Sequence, residues 1–208
     1  MKLHYAETIN ARKACAAAKH LNAPVSFVRV NLAQGEQRQP AYLAINPNGR
    51  VPVLSFDDGR TLWESNAIMA SLALQAGSDF YPTDGRQVEV LRWLSWSSEH
   101  FHRHGSRIYF ENLVKPMLGM GRADAAAVEE SSGFIRKFGA ILNDHLKGRR
   151  FLLGDTVTVA DFAVGACLPY AEAAKIPLEG FDEIARWSER LNALPGWRDP
   201  FPAAKAAA

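Results

Sequence analysis

The 208 residues predict a mixed α+β domain of order βαβ–α–ββα, followed by an all-α domain. Three observations lead there. Short apolar runs alternate with helical spacing over the first 78 residues or so. A stretch rich in turn formers and acids, Asp79 to Gly85 with Pro82 inside it, then interrupts the pattern. Beyond it no strand-like alternation returns and helical spacing takes over. The division is therefore residues 1–78, a linker at 79–86, and a helical domain over 87–208.

Each element follows from local chemistry. Lys2 to Tyr5 reads as a short strand. Asn10 to about Leu21 reads as a helix, with Ala14, Cys15, Ala18 and Leu21 on one face. Pro24 introduces a second strand, Val25 to Val30. A polar stretch, Gln34-Gly35-Glu36-Gln37, precedes a helical patch from Pro40 to Ala44. Val53 to Phe56 and Thr61 to Trp63 are strands joined by Asp57-Asp58-Gly59-Arg60, a strong hairpin turn. Ser65 to about Gln75 closes the domain as a helix stopped at Gly77.

In the second domain periodic apolar stretches run over Val88–His104, Ala125–Leu146, Val159–Tyr170 and Phe181–Leu194. Thr158 is placed to cap the third of these, with Asp161 reaching back to its N–H. Val157 and Phe162 occupy the flanking positions of a hydrophobic staple. Ala160, Ala163, Val164, Cys167 and Leu168 form one apolar stripe for a buried helix. Trp93, Trp96, Trp187 and Trp197 read as core bulk. The alanine-rich tail from Ala203 has little to bury and should fray.

Bulk properties exclude several function classes. The net charge of +2, without a basic run, points away from nucleic acid and anionic membranes. No apolar run is long enough to span a bilayer. Met1-Lys2 leads straight into a strand, which leaves no room for a signal peptide. Cys15 and Cys167 lack metal-type spacing and read as packed small residues. A cytoplasmic protein is expected. His100, His102 and His104 would share a face on a strand, but on a helix only His100 and His104 do. Two ligands make a poor metal site, so no metal is expected.

The most informative segments are Asn46-Pro47-Asn48-Gly49-Arg50-Val51-Pro52-Val53-Leu54 and Trp63-Glu64-Ser65-Asn66-Ala67-Ile68. Pro52 lacks an N–H and holds Val51 extended, so the Val51 backbone is free to pair with an extended ligand. Glu64 and Ser65 stand where a helix begins, and the free N–H groups there favour a carboxylate. A strand edge for a peptide backbone beside a nest for its carboxylate describes a small-peptide site.

These paired motifs resemble the glutathione-binding half of cytosolic glutathione S-transferases, and the resemblance extends over nearly the whole chain. It implies a thioredoxin-like first domain and a helical second domain that contributes the electrophile site. It implies glutathione as co-substrate, a small hydrophobic electrophile as second substrate, and a homodimer. The Thr158–Asp161 pair resembles the capping box of the family's helical domain, a folding element. By the same resemblance Ser65 and Glu64 hold the γ-glutamyl end, Val51 pairs with the cysteinyl backbone, and Val51–Pro52 is cis. Arg50 or Gln37 takes the glycyl carboxylate.

Which residue activates the thiol stays open. The chain departs from the family's Ser-x-x-Ser and Pro-x-x-Cys patterns. Aligned through Asn10-Ala11-Arg12-Lys13, Thr8 falls at the catalytic serine of serine-type members; counted from Met1, Asn10 falls at the cysteine of beta-class members. Either residue also serves as a helix cap. Alignment through Trp93-Leu94 places His102 at an active-site histidine of the beta class. Phe101, Tyr109, Phe110 and Met117 are candidates for the electrophile pocket or for core packing. Conjugation, peroxide reduction, reductive cleavage of disulfides and a non-catalytic binding role all fit this fold.

Overall fold

The computed structural model describes residues 1–203, so the expectation for the alanine tail lies outside it beyond Ala203. Two units emerge: Met1–Ser78 together with the segment from Asn192 onward, and Asp79–Leu191.

The first unit is built on a four-stranded sheet. Its strands are β1 (Lys2–Tyr5), β2 (Ser26–Arg29), β3 (Val53–Ser55) and β4 (Thr61–Trp63), in the order β2-β1-β3-β4. β1 runs parallel to β2 and antiparallel to β3, and β3 runs antiparallel to β4. A parallel neighbour needs a crossover, and α1 (Ile9–His20) supplies it. Two further helices complete the α+β pattern, α2 (Pro40–Leu43) and α3 (Ser65–Gln75). The β2 run is two residues shorter than the sequence pattern suggests, because pairing with β1 stops at Arg29.

Leu3, Tyr5, Ala11, Ala14, Cys15, Ala18, Leu54, Ile68 and Leu72 form one buried cluster. It joins β1, α1, β3 and α3, the elements that flank the candidate site. Cys15 lies within this core as a packed residue, its thiol pushed up to about 12 by burial.

The chain beyond Asn192 also belongs here. α11 (Pro195–Arg198) lies on α1, with Trp197 buried. Arg12 Nη2 donates to the Trp197 carbonyl at 2.5 Å. Lys19 Nζ donates to the carbonyls of Asp199 and Phe201, at 2.5 and 2.7 Å. Phe201 stacks on Tyr5 with ring centroids 5.8 Å apart. Residues 195–201 thus pack with the first unit, although helical spacing alone assigned everything after 87 to the second. Trp197 supplies core bulk, as expected, but to the first core.

The second unit is helical among the described residues, apart from one isolated bridge between Phe151 and Gly154. One helical run comprises α4 (Arg86–Trp96), a π turn at Ser97–Phe101, α5 (His102–Tyr109), a second π turn at Phe110–Val114, and α6 (Lys115–Met117). The predicted helix ended at His104, but this run continues to Met117. The buried carboxylate of Glu111 is one reason, accepting from Lys115 Nζ at 2.8 Å and pairing with Arg107 at 3.4 Å. It also accepts from the backbone N–H of Asp124, which caps α7 (Ala125–His145).

α8 (Val159–Val164) tightens into a 3-10 segment at Gly165–Tyr170, where Pro169 removes a helical donor. α9 (Ala171–Ala174) and α10 (Asp182–Asn192) follow. Asp161 accepts from Thr158 N and Oγ1, Leu152 N and Trp187 Nε1, at 2.9 to 3.1 Å. The expected capping box is therefore present. No helix among the described residues is long and apolar enough to cross a membrane.

Candidate functional site

Sheet register gathers the predicted residues. β3 opens at Val53, opposite His4 of β1 and Trp63 of β4. The residues that follow β1, precede β3 and follow β4 all leave the sheet at the same end. The turn before α1, the Val51–Pro52 pair and the start of α3 therefore meet at one end of the sheet. The Val51–Pro52 bond is cis, as the motif implies.

Val51 stands outside the paired ladder, and the segment before it is clamped. The Arg50 carbonyl accepts from Tyr42 Oη at 2.8 Å and from Asn46 Nδ2 at 2.7 Å. Both donors are buried, and burial pushes the Tyr42 phenol up to about 12, so it remains a donor at neutral pH. The Asn46 Oδ1 in turn accepts from the Asn48 N–H at 3.0 Å, closing the loop. Tyr42 and Asn46 were missed as site residues by the sequence reading. The Asn-Pro-x-Gly run marks a turn, yet only the fold shows what its asparagine holds.

Gln37, in a 3-10 turn at Glu36–Arg38, comes beside this loop: a Cβ on Gly49 would stand 3.1 Å from its carbonyl. The Gln37 side-chain Oε1 is buried with no hydrogen-bond partner among the described residues. Arg50 is exposed. Both candidates for the glycyl carboxylate thus border the same loop.

At α3, Glu64 occupies the N-cap position with φ 73° and ψ 112°, outside the region a glutamate ordinarily adopts. This backbone turn stands at the switch from β4 into α3. Its first intrahelical bond runs from Ile68 N to the Glu64 carbonyl, so the N–H groups of Ser65, Asn66 and Ala67 precede it. Ser65 is buried and Glu64 exposed. The pair joins a hydroxyl and a helix N-terminus with an accessible carboxylate.

Thr8 is the N-cap of α1, half-buried, accepting from Ala11 N at 3.4 Å. That bond is long and uses only the oxygen, so the hydroxyl hydrogen remains to donate. Asn10 is the second residue of the same helix and is exposed. The Glu7–Arg29 ion pair, at 2.7 and 2.9 Å, flanks the turn and draws the Glu7 carboxyl below its usual range.

His102 lies in the second unit, whereas every other predicted site residue lies in the first. It is buried at the start of α5, with Nε2 3.1 Å from Ser106 Oγ. His100 and His104 serve packing: their rings stack on Phe138 and Phe134 at 4.6 and 4.2 Å. No group of three or more metal-ligating side chains occurs among the described residues. Of the pocket candidates, Phe101 is fully buried core, Tyr109 and Phe110 are half-buried, and Met117 is exposed.

Comparison with known proteins agrees with this geometry. The family described as "Glutathione S-transferase, N-terminal domain" matches residues 9–75. Its counterpart, "Glutathione S-transferase, C-terminal domain", matches residues 125–206. Glutathione S-transferase 3 of Zea mays is 35% identical over 179 residues, 83% of this chain and 79% of that one. Elongation factor 1-gamma of Carassius auratus is 33% identical over 203 residues, covering 95% of this chain and 40% of its own. The crystal structure of glutathione transferase F7 from Populus trichocarpa superposes with a TM-score of 0.86. It is 24% identical, with 96% of each chain covered. On matched domains and overall similarity alike, the chain belongs to the glutathione S-transferase family.

Proposed function

We propose that the protein is a glutathione transferase that adds the glutathione thiolate to small hydrophobic electrophiles. The observation that carries this reading is the convergence, at one end of the sheet, of the clamped Val51 and the α3 N-terminus. Val51 pairs through its backbone with the cysteinyl residue. Ser65 and the first N–H groups of α3 take the γ-glutamyl carboxylate, and Glu64 takes the ammonium. Gln37 and Arg50 receive the glycyl carboxylate.

That pose lays the sulfur at the N-terminus of α1. Thr8 then donates its hydroxyl hydrogen to the sulfur while the helix dipole stabilises the same negative charge. Both effects favour thiolate over thiol, which is what attack on an electrophile requires. Asn10, one helical position beyond Ile9, assists from the same end. His102 and the half-buried Tyr109 and Phe110 are the residues of the second unit that we assign to the electrophile. A homodimer is part of the proposal, and exposed Val88, Leu91, Phe134 and Ile141 on α4 and α7 favour cover by a second copy. The proposed location is the cytoplasm.

The test is a calorimetric titration with glutathione, followed by turnover with an aryl halide. Saturation near one glutathione per subunit together with conjugate formation supports the reading. Absence of binding up to millimolar glutathione rejects it. A second reading is a glutathione-binding interaction protein without turnover, since one relative, elongation factor 1-gamma, is not named a transferase. Binding without conjugation, peroxide reduction or disulfide cleavage would select it.

A further inference from the structure

α1 carries two consecutive cations, Arg12 and Lys13, that are 7% and 3% exposed. They reach different elements. Arg12 bonds the Trp197 carbonyl, whereas Lys13 Nζ donates to Asn66 Oδ1 at 3.2 Å. Asn66 directly follows Ser65 in the first turn of α3. A part-buried hydrogen bond therefore ties α1, just past its first turn, to the helix end that begins with Ser65.

Apolar packing between these helices is already supplied by Ala11, Ala14, Cys15, Ile68 and Leu72. Removing an ammonium from water is unfavourable, and an apolar side chain of similar length would fill the same space with less penalty. The lysine is better explained by what it holds in place. A tripeptide that touches both helix ends has a fixed length between its thiol and its γ-glutamyl carboxylate. Its affinity falls when supporting residues let those ends drift by fractions of an ångström.

We propose that Lys13 is a positioning residue for glutathione: its bond to Asn66 fixes the spacing between the α1 N-terminus and the α3 N-terminus. The inference rests on the glutathione reading of the site and adds a residue outside the peptide-contacting set. Lys13 touches neither the thiol nor the carboxylate; it acts through Asn66 and the turn that carries Ser65.

The test combines Lys13→Met, Asn66→Ala, the double variant and Lys13→Arg in the full-length chain. Each of the first two raises KM for glutathione about five- to tenfold, the loss expected for an ordinary net hydrogen bond. At saturating glutathione kcat stays within about twofold, because Thr8 is untouched. The double variant is no worse than either single one, the signature of a shared interaction. Lys13→Arg restores most of the affinity.

A purely structural lysine would instead lower the thermal midpoint and the active fraction at unchanged KM, and that result overturns the inference. Additive losses in the double variant overturn it as well. If Lys13→Met does not fold, Asn66→Ala decides, since it keeps the cation and removes the Asn66 acceptor alone. Titration of the wild-type protein with glutathione separates the two ideas. No binding there rejects the glutathione site itself, whereas normal binding with an unchanged KM in Asn66→Ala rejects only the role of Lys13.

Discussion

Gly196 lies so close to α1 that a Cβ on it would stand 2.8 Å from the backbone nitrogen of His20. The Ala16 carbonyl would be 3.1 Å away. Both obstacles are backbone atoms, so no side chain can swing aside. Gly196→Ala is expected to cost about 1–3 kcal/mol, the range for overpacking a close contact. Urea denaturation should show a lower midpoint at an unchanged slope.

Thr8→Ala separates activation from binding. The γ-glutamyl and cysteinyl contacts remain, so glutathione affinity should hold within a few-fold. Turnover should fall about a hundredfold, as when a donor to a developing or bound anion is removed. The pH profile of kcat/KM should move up, because the thiol ionises later without its donor. Thr8→Ser keeps a hydroxyl and should keep the profile.

Glu64 sets stability against function. Its φ of 73° disfavours any residue with a Cβ, so Glu64→Gly should stabilise the fold by about 1 kcal/mol. The same change removes the carboxylate assigned to the ammonium of glutathione. A higher thermal midpoint with a higher KM is the expected pair of readouts.

Asp161 gives the stability a pH dependence of definite sign. Burial is the largest influence on its carboxyl and pushes it up to about 6, against the opposing pull of the four hydrogen bonds it accepts. An unfolded aspartate titrates near about 3.9. Between about pH 4 and 6 the folded chain therefore binds more protons than the unfolded one. The contribution of this group to stability falls as pH rises through that window, by on the order of 2–3 kcal/mol at the limit. Asp161→Asn should flatten the slope in denaturation series from pH 4 to 7, while lowering stability at pH 7 because the amide presents N–H to groups that need an acceptor.

How much of this was legible depended on sequence distance. The cis Val51–Pro52 bond followed from the family resemblance alone, whereas the start of α3 at Ser65 was readable because a helix boundary is set within a few residues. The Thr158–Asp161 box was readable for the same reason, since its partners stand one turn apart. The clamp of Tyr42 and Asn46 on the Arg50 carbonyl was not, because an asparagine beside a proline has the same local pattern whether or not it reaches a carbonyl. The bond from Lys13 to Asn66 crosses 53 residues, and a lysine on a helix ordinarily signals solvent. Helical spacing after Pro82 also gave no sign that residues 195–201 would turn back to α1. Such returns are decided by the shape of a finished surface, not by periodicity.

The Arg12–Trp197 bond spans 185 positions, so the first unit takes strands and helices from one end of the chain and its cover from the other. In chain order the sheet and α1 come before the residues that cover them, and the whole second unit is made before Trp197 and Phe201. Vectorial folding can complete the second unit first. The core around α1 can therefore close only after residues 195–201 have been made, which couples completion of the first unit to prior synthesis of the second.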